Sequence, residues 1–283
     1  MVKVACFFTG GFTESGAMQC FLQKINGNIF LKQFCPNKPP RRRIPDVKAQ
    51  LVKEVSGLTG PGLIKYIYQY IKNHPEELKE FDAVLIEDDL DGRYTMQKTE
   101  GDETTKVSAK TPEFLEQCET IKREIRTRLG KEADFPVIFF WASPEIEAWF
   151  LADWANSFGS IYGPAGTNVL DSQENQYFSS RFQPYVRKNV LKEYQNRMEN
   201  YGYFMGEYKK LSDELILALD SDFKVMLNQE DTNVLSKSIS ENRKLYYSKQ
   251  NHGVLMLQNL QPETVRGKCS VYFAEAFAEL AAL

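Results

Sequence analysis

Histidine is nearly absent from this chain: only His74 and His252 occur in 283 residues, which excludes a metal centre built from three or more imidazoles. Cysteine is sparse and dispersed. Cys6, Cys20, Cys35, Cys118 and Cys269 form no Cys-x-x-Cys pair. That argues against a zinc site or a disulfide framework and for reduced thiols in a cytoplasm. No uninterrupted apolar run approaches the ~20 residues of a membrane span. The start, Met1 to Phe8, runs straight into a strand pattern and lacks a cleavage-type leader. The net charge is only −3, so the chain has no global attraction to nucleic acid or anionic membrane, and any such binding must use local patches. P-loop and Gly-x-Gly-x-x-Gly signatures are missing, as are internal repeats.

What is present is an alternation of short apolar runs with helical periods. Val2 to Phe8, Asn28 to Phe34, the run from Ala83 and Pro136 to Ala142 read as buried strands. Thr13 is expected to cap a helix ending near Gly27, and helices are expected over Val47 to Val55, Leu63 to Asn73 and Pro112 to Gly130. Ser143-Pro144-Glu145 is expected to cap another. Arg93 to Lys110 is polar and aperiodic and reads as a mobile loop. The order predicts an α/β fold, a parallel sheet flanked by helices over residues 1–155. Residues 156–283 read as a mainly helical region whose tail packs back on the first domain.

The chemistry concentrates where the run Ala83-Val84-Leu85-Ile86 meets Glu87, Asp88, Asp89, Asp91 and Gly92. Extended geometry would put Glu87, Asp89 and Asp91 on one side, where like charges need a cation, and hard oxygens suit Mg²⁺ or Mn²⁺. The rival is a solvated acidic loop. Glu14 follows the first strand and Glu147 the last. In a parallel sheet these acids would gather along one edge, although Glu147 reads equally well as an exposed residue of an amphipathic helix. Gly10-Gly11 sits between strand and helix and is either a tight turn or an anion cradle. The run Lys38, Arg41, Arg42, Arg43 reads as a solvated loop or a phosphate-contacting patch, with Arg93 a further phosphate candidate.

Three blocks of the chain resemble a prokaryotic Toprim-like (topoisomerase–primase) family of unknown function, often encoded beside ATPases in defence islands. They are Gly11-Phe12-Thr13-Glu14; the run Ser143-Pro144-Glu145-Ile146-Glu147-Ala148-Trp149-Phe150-Leu151-Ala152-Asp153; and Lys249-Gln250-Asn251-His252-Gly253 with Pro262-Glu263-Thr264-Val265-Arg266. The resemblance implies a Toprim-like sheet and a Mg²⁺-dependent nuclease or phosphoryl-transfer enzyme acting on DNA or RNA in anti-phage defence. By that likeness Glu14, Asp89 and Glu147 would be catalytic, and Glu87, Asp88, Asp89 and Asp91 would hold metal. Gly10, Gly11, Lys249 and His252 would join the basic residues in binding phosphate. It also implies an ABC- or AAA-type ATPase partner and leaves room for a homo-oligomer. Two departures matter: Gly10 stands where the family has its usual catalytic Glu, and Glu87 stands where it has Asp. They open an alternative, a catalytically degenerate binding or effector subunit.

Overall fold

The computed structural model describes residues 1–36, 57–100, 103–161 and 252–283, together with Glu199 and the pairs 203–204 and 207–208. The expected helix over 47–55, the basic residues Lys38, Arg41, Arg42 and Arg43, and Lys249 lie outside these residues.

The chain is an α/β protein. Four strands, β1 (Val2–Phe7), β2 (Ile29–Phe34), β3 (Ala83–Asp89) and β6 (Val137–Ala142), form an all-parallel sheet in the order β2-β1-β3-β6. β3 and β6 are buried along their whole length, because helices cover both faces and each successive side chain meets a core. Val4, Cys6, Leu85 and Phe140 enter one core; Ala5, Phe7, Ile86 and Phe139 enter the other.

The first core is roofed by α1 (Phe12–Gln23), α5 (Glu147–Ala152) and three C-terminal helices, α7 (Val254–Asn259), α8 (Pro262–Lys268) and α9 (Phe273–Ala281). The second is roofed by α2 (Pro61–Asn73), the single turn α3 (Pro75–Lys79) and α4 (Pro112–Leu129). α2 turns Leu63, Ile67 and Ile71 inward at helical spacing, and α4 does the same with Phe114, Ile121 and Ile125. A short α6 (Phe158–Ile161) follows α5.

Several boundaries differ from those the sequence suggests. α1 begins at Phe12 behind Gly11, with no side-chain cap, and Thr13 is buried within it. α5 begins at Glu147 behind Ile146. The residues before it run alongside the end of β3, with Leu90 N donating to Ala142 O and Asp91 N to Pro144 O. The stretch after Arg93 is an antiparallel ribbon, β4 (Thr95–Glu100) with β5 (Glu103–Ser108), Thr95 facing Ser108. Its threonines favour a pleated strand even without an apolar alternation. Tyr203–Phe204 and Glu207–Tyr208 form a further small ribbon, β7 and β8.

The C-terminal helices complete the first core. Trp149 of α5 stacks on Phe21 of α1 at 5.7 Å and meets Phe273 of α9 edge-on at 5.0 Å. Each such pair adds about 1 kcal/mol beyond its burial. Asp153 Oδ2 accepts Gln261 N at 2.8 Å, and Lys24 Nζ donates to the Gln258 and Leu260 carbonyls. The tail therefore clamps together the two helices that carry Glu14 and Glu147. Among the described residues no helix is long and apolar enough to cross a membrane.

Candidate active site at the carboxyl ends of the central strands

The chain leaves β1 toward β2 on one side and returns to β3 on the other, so the sheet order reverses between β1 and β3. Open α/β sheets bind ligands at such a switch point, beyond the carboxyl ends of the strands. Glu14 heads the helix that follows β1, and Glu87 and Asp89 end β3. All three are buried, Glu87 completely.

Glu87 is the central group. Thr9 N, across the switch point, approaches its Oε2 at 3.5 Å, while Oε1 is buried with no hydrogen-bond partner among the described residues. Burial drives its carboxyl well above the ordinary range, and the negative charges of Glu14, Asp89 and Asp88 push the same way. The folded state therefore holds a proton on Glu87 that the unfolded chain releases above about pH 4.5. In metal-free buffer, the stability supported by this proton is complete below that pH and is lost as pH rises toward the elevated folded-state value. Glu87→Gln should accordingly match wild type near pH 4 and unfold at a higher temperature near pH 8. A thermal-unfolding series in EDTA across that range checks it, and parallel curves would refute the assignment.

β alternation separates the acids expected to act together. Glu87 and Asp89 face the α1/α5 side, where Asp89 Oδ1 accepts Ile146 N at 3.2 Å. Asp88, expected to hold metal, faces the α2 side instead of the α1/α5 side. It is fully buried, accepts Gly60 N at 3.0 Å on both oxygens and pairs with Arg93 Nη2 at 2.7 Å. Burial pushes its carboxyl up, opposed by Arg93 and the Gly60 amide. Arg93, expected on phosphate, has a guanidinium that also donates to the Leu90 and Asp89 carbonyls and lies over Trp141. Asp91 has φ +47 and Gly92 φ +72, so the chain turns before Asp91 can continue the extended row of Glu87 and Asp89.

The glycine pair, expected as a tight turn or an anion cradle, is closely packed. Gly10 takes φ +81, and a Cβ there would meet Pro36 Cδ at 3.0 Å. A Cβ on Gly11 would run into Glu14 Oε2 and sit 2.9 Å from its Cδ. The chain's own carboxylate thus folds back over the turn where an anion would sit. His252, expected on phosphate, is buried and its imidazole pKa is lowered by that burial, which favours the neutral form.

Glu147 is fully buried rather than exposed, as is Glu145 two residues earlier. Glu145 shares the β6 exit and was legible in the same Pro-Glu-Ile-Glu run. Glu199 had no comparable signal: it is buried, its carbonyl accepts Ser143 Oγ at 2.8 Å, and its carboxylate receives the first amides of α9.

The arrangement defines an α/β protein with an acidic switch-point site. Among the described residues no three His, Cys, Asp or Glu side chains form a ready metal cage. Mg²⁺ does not require one, since one or two carboxylates with waters and substrate phosphates can hold it, and the Oε1 of Glu87, near the charges of Glu14 and Asp89, would suit such an ion. No family model, curated protein or solved structure matches the chain.

Proposed function

We propose that the protein is a Mg²⁺- or Mn²⁺-dependent, Toprim-like nuclease or phosphoryl-transfer enzyme acting on nucleic acid in the cytoplasm, serving prokaryotic anti-phage defence. One observation carries this reading: a fully buried glutamate with an unpartnered oxygen ends the strand at the switch point, amid the charges of Glu14 and Asp89. Burying like-charged carboxylates together is costly unless a cation neutralises them. Glu87 would hold the ion with Asp89 or Glu14. Such an ion polarises a phosphoryl oxygen and acidifies a bound water. Glu14, at the head of α1, would serve as the base for that water. Asp89, which accepts Ile146 N at the β6 exit, would share the metal. Glu147, buried one residue beyond Ile146, suits positioning rather than contact with substrate.

Titration calorimetry with Mn²⁺, paired with a nicking assay, tests this on wild type and a Glu87→Gln/Asp89→Asn variant. Both swaps remove charge at nearly constant volume, and Asn can still accept Ile146 N. The variant should lose Mn²⁺ binding and fall to the metal-free cleavage level. Equal binding in both proteins would remove the metal site.

A second reading has its own observation. Gly10 stands where the resembled family has a catalytic Glu, and its φ of +81 is a conformation that side chains rarely adopt. That favours a catalytically degenerate module serving an ABC- or AAA-type ATPase. Mn²⁺ binding without cleavage by wild type would select it.

A further inference from the structure

On the face of the sheet opposite Glu87, a groove of about 350 Å³ runs between α2 and α4. Its α2 wall is Pro61, Ile64, Lys65, Tyr68, Gln69 and Lys72, a stripe at helical spacing opposite the buried Leu63, Ile67 and Ile71. Arg128 of α4 completes it, its guanidinium 4.5 Å over the Tyr68 ring. Among the described residues, the lining includes three cations and no acid. Glu124 sits beside Arg128 at 3.2 Å, but both side chains are exposed, and such a pair is weak enough to exchange for another anion. The stripe from Pro61 to Lys72 is about 16 Å long.

One end of this groove lies at the carboxyl end of β3, beside Asp88. Pro61 follows Gly60, whose amide is held by Asp88 at the end of β3, between Glu87 and Asp89. From these features we infer that the groove binds single-stranded nucleic acid and leads it toward the carboxyl end of β3. A cationic channel with an aromatic platform is how proteins hold a single strand without reading its sequence. Lys65, Lys72 and Arg128 contact phosphates, and Tyr68 stacks a base with Arg128 against the ring. The inference deepens the nuclease reading by naming a single strand as substrate, while the binding step rests on the groove alone.

Fluorescence anisotropy with labelled 15-nucleotide DNA and RNA, titrated with salt in EDTA, separates the two. Wild type should bind. Lys65→Gln/Lys72→Gln/Arg128→Gln should lower the slope of log affinity against log salt by about 2, at ~0.7 per lost phosphate contact, and weaken binding on the order of 100-fold at 0.1 M salt. Tyr68→Leu should weaken it about tenfold with the slope unchanged. These side chains lie on the groove surface, so thermal midpoints should stay near wild type. Wild type failing to bind either strand overturns the inference, as does a triple variant with wild-type affinity and slope. Duplex DNA held equally well through the same residues also overturns it. If the triple variant loses binding but wild type cleaves nothing in Mn²⁺, the groove stands and the nuclease reading falls.

Discussion

Replacing Glu199 with alanine is expected to destabilise the protein by about 4 kcal/mol, among the largest single-site losses the structure allows. The carboxylate of Glu199 accepts Val271 N at 2.6 Å, Tyr272 N at 2.9 Å and Phe273 N at 3.1 Å. Val271 and Tyr272 lead into α9, which begins at Phe273; its first-turn amides lack intrahelical acceptors, and its positive dipole end favours an anion. Burial pushes the Glu199 carboxyl up, and the three amides oppose that shift. Removing the acceptor leaves the amides facing a core, each costing about 1 to 3 kcal/mol before relaxation. The Tm should drop on the order of 10 °C. Glu199→Gln, which keeps one carbonyl oxygen, should lose about half as much. Because α9 carries Phe273 against Trp149 and Phe21, amide exchange in α9 should rise along with exposure of those aromatics. A loss below about 1 kcal/mol in denaturant unfolding would mean that this cap does not form.

The second large effect is expected at Arg93. Arg93→Ala should cost about 3 kcal/mol at pH 7, because among the described residues it leaves the fully buried Asp88 carboxylate with only the Gly60 amide as donor. It also removes the donors to the Leu90 and Asp89 carbonyls, which hold the turn after β3. Lysine should rescue little, since one ammonium cannot reproduce a fork that spans a carboxylate and two carbonyls. The pH dependence gives the sign. Without Arg93 the folded-state pKa of Asp88 rises further above the ordinary 3.8, so the deficit should be full at neutral pH and shrink as pH falls toward 4. Asp88→Asn in the Arg93→Ala background should recover part of the loss at pH 7, read as a positive coupling in a double-mutant cycle. A pH-independent deficit would place the effect in the turn rather than in the ion pair.

Arg93 and Glu199 also mark the line between what the chain states locally and what only folding decides. The sheet was legible because a strand buried on both faces must be apolar throughout, and Val137 to Ala142 and Ala83 to Ile86 are. The end of α2 was legible through Pro75, and both ends of α4 through Pro112 and the left-handed Gly130; α2 begins at Pro61, two residues before the expected Leu63. That acids follow three strands was plain from the sequence too, and parallel pairing alone puts them on one edge. The start of α1 was not legible: a threonine near a helix start is a common cap, and nothing local signals that Gly11 takes the position instead. The ribbon after Arg93 was hidden because its sequence shows no apolar alternation.

By itself, then, the sequence determined the α/β class, the parallel strands and the set of acids at their carboxyl ends, because burial and pleat period act over a few residues. Only the tertiary structure decided which acids share a face, by ending the extended run at Asp89 and turning the chain left-handed at Asp91. Tertiary structure alone also turned Arg93 from a free cation into the partner of Asp88, and brought Glu199 to a helix that begins 74 residues later. Such pairings follow from the low dielectric of a buried site, which makes a charge seek its partner wherever the fold places one.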